Sequence, residues 1–219
     1  INQFMTSPPP ELRVRAPRPH ISMRYVYQIC LSDTRGNLDV MAHVILGLLL
    51  LGNMSLYDLI KAMEQGTSLF YSASAGSIKR ALDGLLKRGD VHVVSQETTG
   101  RKRKIYGITP QGRTSFHTWM MSPPENADLD AAALTRIYFL GLLDEPERVT
   151  VLESIRDAVS RSATTLAHTQ AQVEGQSVPA ELASVAHYTK ATLEYGIRTH
   201  DTALTWLEEL ITQAQADVK

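Results

Sequence analysis

The strongest constraint on the fold is the order of predicted elements between residues 41 and 122. Three short helical segments come first, each with apolar residues at helical spacing and each ending at a glycine. Two strand-like segments, Val91 to Ser95 and Ile105 to Ile108, then flank a basic turn. Thr109-Pro110 begins a fourth helix, because threonine caps helices and proline suits the first helical position. This order predicts a winged helix-turn-helix.

Each of the three helices has a recognisable start or end. The first runs through the almost continuously apolar stretch His43 to Leu51 and stops at Gly52-Asn53. Ser55 is the expected N-cap of the second helix, and Gly89-Asp90 closes the third. The third helix separates an apolar stripe from basic residues that face elsewhere: Ile78, Leu82, Leu85 and Leu86 against Lys79, Arg80, Lys87 and Arg88.

Charge is divided unevenly along the chain, although the formal net charge is only −1. Residues 1–40 carry a net charge of +2, residues 41–122 carry +5, and residues 123–219 carry −8. A basic block suits contact with a polyanion, whereas an acidic block repels one. We therefore expect two modules with different partners.

The rest of the chain divides into an extension, a linker and a tail. Residues 1–40 are rich in proline and arginine, a composition that does not favour a packed core, and we expect this extension to be poorly ordered. Ser122-Pro123-Pro124 introduces a linker over residues 123–128. Residues 129–219 are predicted to form three helices, roughly 129–143, 146–173 and 179–215.

Sevenfold hydrophobic repeats mark the two long tail helices. In one helix the repeat is Leu152, Val159, Leu166 and Val173, with Ile155 beside it; in the other it is Ala186, Leu193 and Leu207, joined by Ile197, Leu204 and Ile211. Such repeats favour a long helical seam. The seam lies either within one chain or between two chains. We prefer the second interpretation, because little chain remains to cover helices of this length.

Several function classes are excluded or disfavoured. The single cysteine, Cys30, rules out an internal disulfide and a multi-cysteine metal cluster. The longest apolar run, Val44 to Leu51, is too short to span a membrane. Common catalytic and nucleotide-binding motifs are absent, and the seven histidines lack metal-ligand spacing. We expect no enzyme activity, no cofactor, no metal and no membrane partner, and a cytoplasmic location.

The basic module has the chemistry of a nucleic-acid-binding surface. The third helix begins with small and hydroxyl residues from Ser72 to Ser77, and helix N-termini attract phosphate. Plain capping of a surface helix is the alternative explanation of these serines. The turn between the strands holds four consecutive bases, Arg101 to Lys104, which repel one another unless they lie against phosphates. Helix and turn together favour double-stranded DNA as the partner.

The same residues resemble a known family. The stretch Ser74 to Leu82, with Leu85 and Lys87-Arg88-Gly89, resembles the recognition helix of the PadR family of bacterial transcriptional regulators. Gly100 to Tyr106, with Ile108 to Arg113, is similar to that family's wing and following helix. Ser55 to Leu59 is similar to the start of its second helix.

The tail carries a second resemblance. Leu193 to Ile197, with Trp206 to Glu209, is similar to the long-tailed subgroup that has a virulence-activator-type α-helical C-terminal domain. Together the two resemblances cover about residues 41–213. Lys79 stands where the family often has an aromatic residue, and Lys102 where it often has proline. Both replacements add positive charge.

The resemblance implies a homodimer whose C-terminal helices interlock and place two winged domains on a pseudo-palindromic operator. It assigns DNA contacts to the third helix, the wing and two tyrosines, for which packing is the alternative role: Tyr57, Tyr71, Ser74, Gly76, Ser77, Lys79, Arg80, Arg101, Lys102, Arg103 and Lys104. It assigns dimerisation to five tail residues: Leu193, Ile197, Leu204, Leu207 and Ile211. Four aromatic residues are candidates for a small aromatic effector's pocket, with core packing as the alternative: Trp119, Tyr138, Tyr188 and Trp206.

We therefore predict a mainly α fold, with an N-terminal winged helix-turn-helix of three helices, a two-stranded wing and a fourth helix, followed by a C-terminal α-helical dimerisation domain. The predicted function is that of a homodimeric, sequence-specific DNA-binding transcriptional regulator, expected to be a repressor released by a small-molecule effector. The alternative is a protein–protein interaction module built from a winged-helix scaffold and an acidic helical tail. An enzyme with a site between the helices is disfavoured, because the tail offers no convergent titratable groups at recognisable spacing.

Overall fold

A computed structural model describes residues 34–66, 73–96, 103–124, 129–174 and 178–217, with side chains from residue 40 onward. The winged part contains four helices and three strands: α1 (Thr34–Leu51), β1 (Met54–Ser55), α2 (Leu56–Gln65), α3 (Ala75–Arg88), β2 (Val91–Gln96), β3 (Lys104–Ile108) and α4 (Pro110–Met121). The tail contains three helices, α5 (Leu129–Tyr138), α6 (Glu145–Glu174) and α7 (Ala183–Asp217), with short 3-10 turns at Leu140–Leu142 and Ala180–Leu182.

The predicted order of helices and wing strands is confirmed, and the fold is mainly α. The sequence prediction missed strand β1, which pairs antiparallel with β3 and makes a three-stranded sheet in the order β1-β3-β2. Two residues are too few for an alternating apolar pattern, so only the partner strand defines β1. Helix α1 begins at Thr34, inside the predicted extension, and the extension's first 33 residues lie outside the described part of the chain.

The predicted helix boundaries in the winged part rest on specific caps. The Ser55 side chain accepts from the backbone N–H of Asp58, and the Asp58 carboxylate accepts from the Ser55 N–H, so α2 begins with a complete capping box. The Thr109 side chain caps α4, with Pro110 at its first position. Gly89 ends α3 at φ 80°, a left-handed conformation that glycine adopts without a Cβ penalty. All three predicted boundaries are confirmed.

Asp90 connects the end of α3 with the start of α4. Its side chain is buried, and its carboxylate accepts hydrogen bonds from Arg88 at 2.9 Å and Ser115 at 3.0 Å. Its backbone carbonyl accepts from the N–H of Thr109 at 3.0 Å. A buried carboxylate with several donors fixes its surroundings. Asp90 therefore orients α3 relative to the strands and to α4.

One apolar core runs from the winged part into the tail. Helix α1 is buried on nearly all sides, since Val44, Ile45 and Leu46 are each no more than 1% exposed. This explains its continuous apolar run, because a helix surrounded by other elements has no polar face. The same core cluster includes Phe139 and Leu207 of the tail.

The first tail helix is shorter than predicted. It ends at Tyr138, and Phe139 leads into the 3-10 turn. The Phe139 ring packs edge-on against Phe116 and lies so close to Gly47 that a Cβ there would come within 2.8 Å of it. Packing of this ring against α1 and α4 thus replaces the continuous helix that the sequence favoured.

Helices α6 and α7 form an antiparallel hairpin. Three cross-hairpin neighbours show the register: Arg156 lies beside Glu208, the Ser162 hydroxyl is 2.9 Å from His200, and Gly196 faces Leu166. The buried residues of α6 end at Val159, and those of α7 begin at Leu207. The hairpin is therefore anchored in the core at one end only. None of the described helices has the length and apolarity needed to cross a membrane.

Candidate nucleic-acid interface

The N-terminus of α3 is exposed and carries no acidic residue in its first turn. The Ser74 hydroxyl accepts from the backbone N–H of Ser77 at 3.2 Å, and the Ser77 hydroxyl donates to the Ser74 carbonyl at 2.7 Å. Ser74 is therefore the N-cap of α3, as the plain-cap interpretation predicts, and the Ser77 hydroxyl bonds back to it. Exposed Gly76 adds no side chain here, so an anion can approach the free backbone N–H groups of the first turn.

Two basic side chains follow one turn later on α3. Lys79 is exposed and forms an ion pair with Asp83, its Nζ 2.7 Å from the carboxylate. The hydrogen bond from Lys79 to Asp83 raises the pKa of the lysine above its ordinary value. Arg80 is also exposed and has no ion pair among the described residues. A polyanion can engage both side chains, because an exposed pair such as Lys79–Asp83 is weak.

Arg103, just before β3, and Lys104, its first residue, are both exposed, and we call them the wing stem. Lys104 pairs with Gln96 at the end of the described ladder, beyond a bulge at Val93 and Ser95. Arg103 Nη2 donates to the Asp58 carboxylate at 2.7 Å. That carboxylate has a pKa below its ordinary value, first because the Ser55 hydroxyl and N–H donate to it and then because Arg103 does.

Tyr106 of strand β3 lies near two charged side chains of helix α3. Burial raises the pKa of the Tyr106 hydroxyl, the Asp83 charge raises it further, and the Lys79 charge opposes both. The hydroxyl of Tyr106 therefore lies within range of both charges on α3. We call the exposed basic and hydroxyl groups at the N-terminal part of α3 and on the wing stem the wing-helix surface, which comprises Ser74, Ser77, Lys79, Arg80, Arg103 and Lys104.

The remaining predicted DNA contacts are placed as follows. The Tyr57 side chain on α2 is 71% exposed, so packing within this chain does not account for it. Tyr71, Arg101 and Lys102 lie outside the described residues. Sequence reasoning missed Asp58, although Ser-x-x-Asp before an apolar run is a capping-box signal. It also missed Tyr106, for which no local pattern gave a signal.

The five predicted dimerisation residues fall into two groups. Leu207 and Ile211 are 1% and 4% exposed within the chain itself, where they belong to the common core. Leu193, Ile197 and Leu204 are half-buried. Contact of these five residues with a second copy stays a prediction, and the buried pair contributes first to packing within one chain.

A buried cluster joins the winged part to the tail. The Trp119 ring stacks on His43, with ring centroids 4.5 Å apart, and the Arg136 guanidinium lies 3.9 Å from the Trp119 centroid. Arg136 is 2% exposed and donates to the carbonyls of Trp119 and Ala132, both at 3.0 Å, and to the Ser122 hydroxyl at 3.2 Å. Arg136 thus holds the C-terminal end of α4 against α5. We call His43, Trp119 and Arg136 the hinge cluster.

A cavity of about 310 Å³ lies between the three tail helices. Its wall is mostly apolar, with a few polar groups at its edge: Asp130, Ala133, Leu134, Ile137, Ile155, Val159, Thr199, His200, Thr202, Ala203, Trp206 and Leu207. Of the four candidate effector residues, Trp206 lines this cavity and the others do not. Trp119 belongs to the hinge cluster, Tyr138 packs edge-on against Phe139, and Tyr188 is 68% exposed.

Neither the wing-helix surface nor the cavity includes a group of metal-binding side chains. Among the residues that the structure describes, no cluster of three or more histidine, cysteine, aspartate or glutamate side chains could hold a metal ion. The chemistry of the wing-helix surface is instead that of lysine, arginine, hydroxyl and backbone N–H donors. These groups hydrogen-bond phosphate oxygens and base edges.

Two family models match this chain. The model described as the transcriptional regulator PadR-like family matches residues 45–118, and the model described as virulence activator alpha C-term matches residues 132–215. A curated protein, the negative transcriptional regulator PadR of Bacillus subtilis (strain 168), is 23% identical over 185 residues, covering 81% of this chain and 99% of that protein.

Two solved structures are also similar. The crystal structure of Bacillus subtilis PadR in complex with operator DNA is 22% identical, covers 80% of this chain and 99% of that chain, and has a TM-score of 0.37. The crystal structure of the same protein in complex with p-coumaric acid is 20% identical, covers 84% and 99%, and has a TM-score of 0.36.

Proposed function

Because this chain belongs to the PadR-like family of transcriptional regulators, with a virulence-activator-type C-terminal domain, we propose that it is a homodimeric, sequence-specific DNA-binding repressor controlled by a small-molecule effector. The family is one of transcriptional regulators, not of enzymes. Repression is proposed because the Bacillus subtilis relative is described as a negative regulator.

The wing-helix surface carries the DNA-binding part of the proposal. A helix fits the major groove of DNA, and its N-terminal residues reach base edges. Lys79 and Arg80 occupy that part of α3, and the helix start beside them is free of acidic side chains. The adjoining wing stem supplies Arg103 and Lys104, which suit the flanking phosphates. In this arrangement the helix reads the sequence and the wing holds the backbone.

The far part of the tail hairpin supports dimerisation. We define this distal hairpin as residues 160–206, and none of its described residues is buried. It exposes large apolar or aromatic side chains, since Val185 is 55%, Tyr188 is 68% and Tyr195 is 71% exposed. Exposed apolar and aromatic side chains of this kind are typical of an interface. A second copy covering it would hold two winged domains at a fixed separation, as a two-fold symmetric operator requires.

The cavity in the tail supports effector binding. Its volume of about 310 Å³ lies at the lower end of the range for small-molecule sites, and its apolar wall with few polar groups is typical of them. Trp206 offers a ring for stacking, whereas both ring nitrogens of His200 are already engaged by the Gly196 carbonyl and the Ser162 hydroxyl. A small aromatic molecule is the class that fits this mostly apolar wall. Such an effector releases DNA only if it binds the DNA-competent and incompetent dimers unequally.

The test of DNA binding is a fluorescence-anisotropy titration of the protein on its own upstream DNA and on a scrambled duplex, at two salt concentrations. We expect tighter binding to the upstream fragment, and affinity for both duplexes should fall as salt rises, because phosphate contacts release counterions. Binding to neither duplex would favour the alternative, a protein-interaction module on a winged-helix scaffold, because such a module makes no phosphate contacts. Equal binding to both duplexes would contradict sequence specificity.

The test of effector binding uses p-coumaric acid as the probe and the two tryptophans as reporters. Trp206 lines the cavity and Trp119 does not. We therefore expect the probe to quench the fluorescence of Trp119→Phe, in which only Trp206 remains. The fluorescence of Trp206→Phe, in which only Trp119 remains, should not change. The probe should also release DNA from the wild-type protein. Quenching that persists in Trp206→Phe would place the ligand outside this cavity.

A further inference from the structure

Arg103 is held by an acid from a distant part of the chain. Its Nη2 donates to Oδ2 of Asp58 at 2.7 Å, across 45 positions of sequence. The Arg103 side chain is 49% exposed and that of Asp58 is 38% exposed, so both remain in contact with solvent. Arg103 therefore lies at the edge of the wing-helix surface with part of its guanidinium free.

Asp58 is itself fixed to the sheet that carries the wing. Its Oδ2 accepts from the Ser55 backbone N–H at 3.0 Å and from the Ser55 hydroxyl at 2.8 Å. Ser55 lies in β1, where it pairs with Ile105 of β3, two residues from Arg103. The contacts run from Arg103 through Asp58 and Ser55 back to β3, which begins one residue after the arginine. The carboxylate thus has a defined position relative to the wing stem.

We propose that Asp58 is a positioning residue for DNA binding: it holds the Arg103 guanidinium in one orientation, so that the remaining N–H groups meet a DNA phosphate already ordered. The proposal rests on the proposed function. A guanidinium has five N–H donors in a rigid plane, and the contact with Asp58 uses only the Nη2 group at one edge of that plane. Ordering a long side chain before binding removes an entropic cost that would otherwise weaken the complex.

Positioning by Asp58 and simple charge repulsion predict opposite effects on DNA affinity when Asp58 is neutralised. An acidic side chain beside DNA repels phosphates, so its neutralisation should tighten binding. If Asp58 positions Arg103, its neutralisation should instead weaken binding. Asp83 is the matched control, because it also pairs with a basic residue at 2.7 Å on the same surface. Asp83 makes no other hydrogen bond among the described residues, and Lys79 carries a compact charge on a flexible stem, so Asp83 lacks the contacts that fix Asp58.

The experiment compares the wild type, Asp58→Asn, Asp83→Asn, Arg103→Ala and the double variant Asp58→Asn/Arg103→Ala by anisotropy at two salt concentrations. The Asp58→Asn change keeps a side-chain acceptor for the α2 cap. We expect it to raise Kd about threefold to tenfold on both duplexes. Asp83→Asn should leave Kd unchanged or lower it. Adding Asp58→Asn to Arg103→Ala should cause no further loss, and Arg103→Ala should reduce the salt slope by about one.

Two results would overturn the proposal while leaving DNA binding itself intact. One is unchanged or tighter binding by Asp58→Asn. The other is an equal loss in the Arg103→Ala background, which would place the effect in the α2 cap. Arg103→Lys is a second test that leaves the cap untouched. It keeps the charge but loses the planar donors, so its Kd should rise nearly as far as that of Arg103→Ala, and wild-type affinity would count against positioning. A wild-type protein that binds neither duplex would remove the proposed function and this inference together.

Discussion

In the winged part, four of the 14 residues of helix α3 are buried, whereas none of the described residues of the distal hairpin is buried. The two regions also differ in their polar contacts. Residues far apart in sequence meet in the winged part, as Arg103 meets Asp58 and Ser115 meets Asp90. In the distal hairpin most described hydrogen bonds join residues one helical turn apart, and Ser162–His200 is a cross-hairpin exception.

This difference shows which region is fully packed within one chain. The winged part has a core and a network of contacts that fix its helices and strands within one chain. The distal hairpin has a half-buried seam on one side and exposed aromatic residues on the other. Its stability in water therefore depends on further cover, since long helices are stabilised mainly by packing of an apolar face. Under the proposed function, a second copy of the chain supplies that cover.

The largest expected effect contrasts the two regions in stability. Leu85 is fully buried in α3, and Leu85→Ala should lower the free energy of unfolding by about 2–5 kcal/mol, because it leaves a cavity in a packed core. The matched control is Leu193→Ala, the same chemical change at a half-buried position of the distal hairpin. Urea unfolding should show less than half the cost there at low protein concentration. An equal loss of unfolding free energy in the two variants would contradict the difference in packing between the two regions.

The next effect contrasts the two regions in DNA affinity. Replacing Arg101 to Lys104 with alanines should raise Kd about 10²-fold on every duplex. It should also reduce the steepness of the dependence of log Kd on log salt by about three to four, because binding then neutralises fewer phosphates and releases fewer counterions. The control is Arg161→Ala, an exposed arginine of the distal hairpin, which should leave both quantities unchanged. Unchanged affinity of the wing variant would refute the wing assignment.

A smaller effect concerns the hinge cluster between the two regions. Arg136→Gln should lower the free energy of unfolding by about 1–3 kcal/mol, because it removes hydrogen bonds to the Trp119 carbonyl and the Ser122 hydroxyl, together with the cation–π contact. In a Trp206→Phe background, tryptophan emission reports Trp119 alone and should shift in this variant. Wild-type stability together with an unshifted emission spectrum would show that Arg136 does not hold α4 against α5.

The smallest effect is a pH dependence at a second contact between the winged part and the tail. The His117 side chain of α4 hydrogen-bonds Glu147 of α6 at 2.8 Å and is the main cause that lowers the pKa of Glu147 below its ordinary value of 4.5. A lowered pKa in the folded state stabilises the protein above the ordinary pKa, and this contribution is lost as pH falls through the lowered value.

Thermal unfolding of the wild type and Glu147→Gln checks this sign. The wild type should be slightly more stable well above the ordinary pKa of 4.5, and the difference should shrink as the pH falls through the lowered pKa and disappear once Glu147 is protonated. Glu145→Gln, two positions earlier on the same helix, serves as the control. A difference that persists or grows in acid would contradict the assigned role of Glu147.

Local signals made much of the winged part predictable from sequence. Ser55, Thr109 and Gly89 each act through neighbours within one helical turn, so their residue types alone predict the caps. The contact between Arg103 and Asp58 joins residues 45 positions apart, and no single-sequence pattern reports such a contact. The two-residue strand β1 exists only through its partner, and the same limit applies to it.

The tail shows a different limit of sequence reasoning. A sevenfold repeat requires a seam, but its spacing is the same whether the seam lies within one chain or between two. The structure places Leu207 and Ile211 in the core of their own chain. The sequence also grouped Trp119 with Trp206 as candidate pocket residues, and only their surroundings separate them: one stacks on His43, and the other lines the cavity.

The most direct test of the account is the ratio of affinities for the upstream and scrambled duplexes, measured for the wild type, Arg80→Ala and the wing variant. Direct readout by α3 predicts that Arg80→Ala lowers this ratio, whereas the wing variant weakens both duplexes equally and leaves the ratio unchanged. Lys87→Ala, an exposed basic residue at the other end of the same helix, should preserve the ratio. Equal losses on both duplexes for Arg80→Ala would contradict the assignment of α3 as the helix that reads DNA sequence.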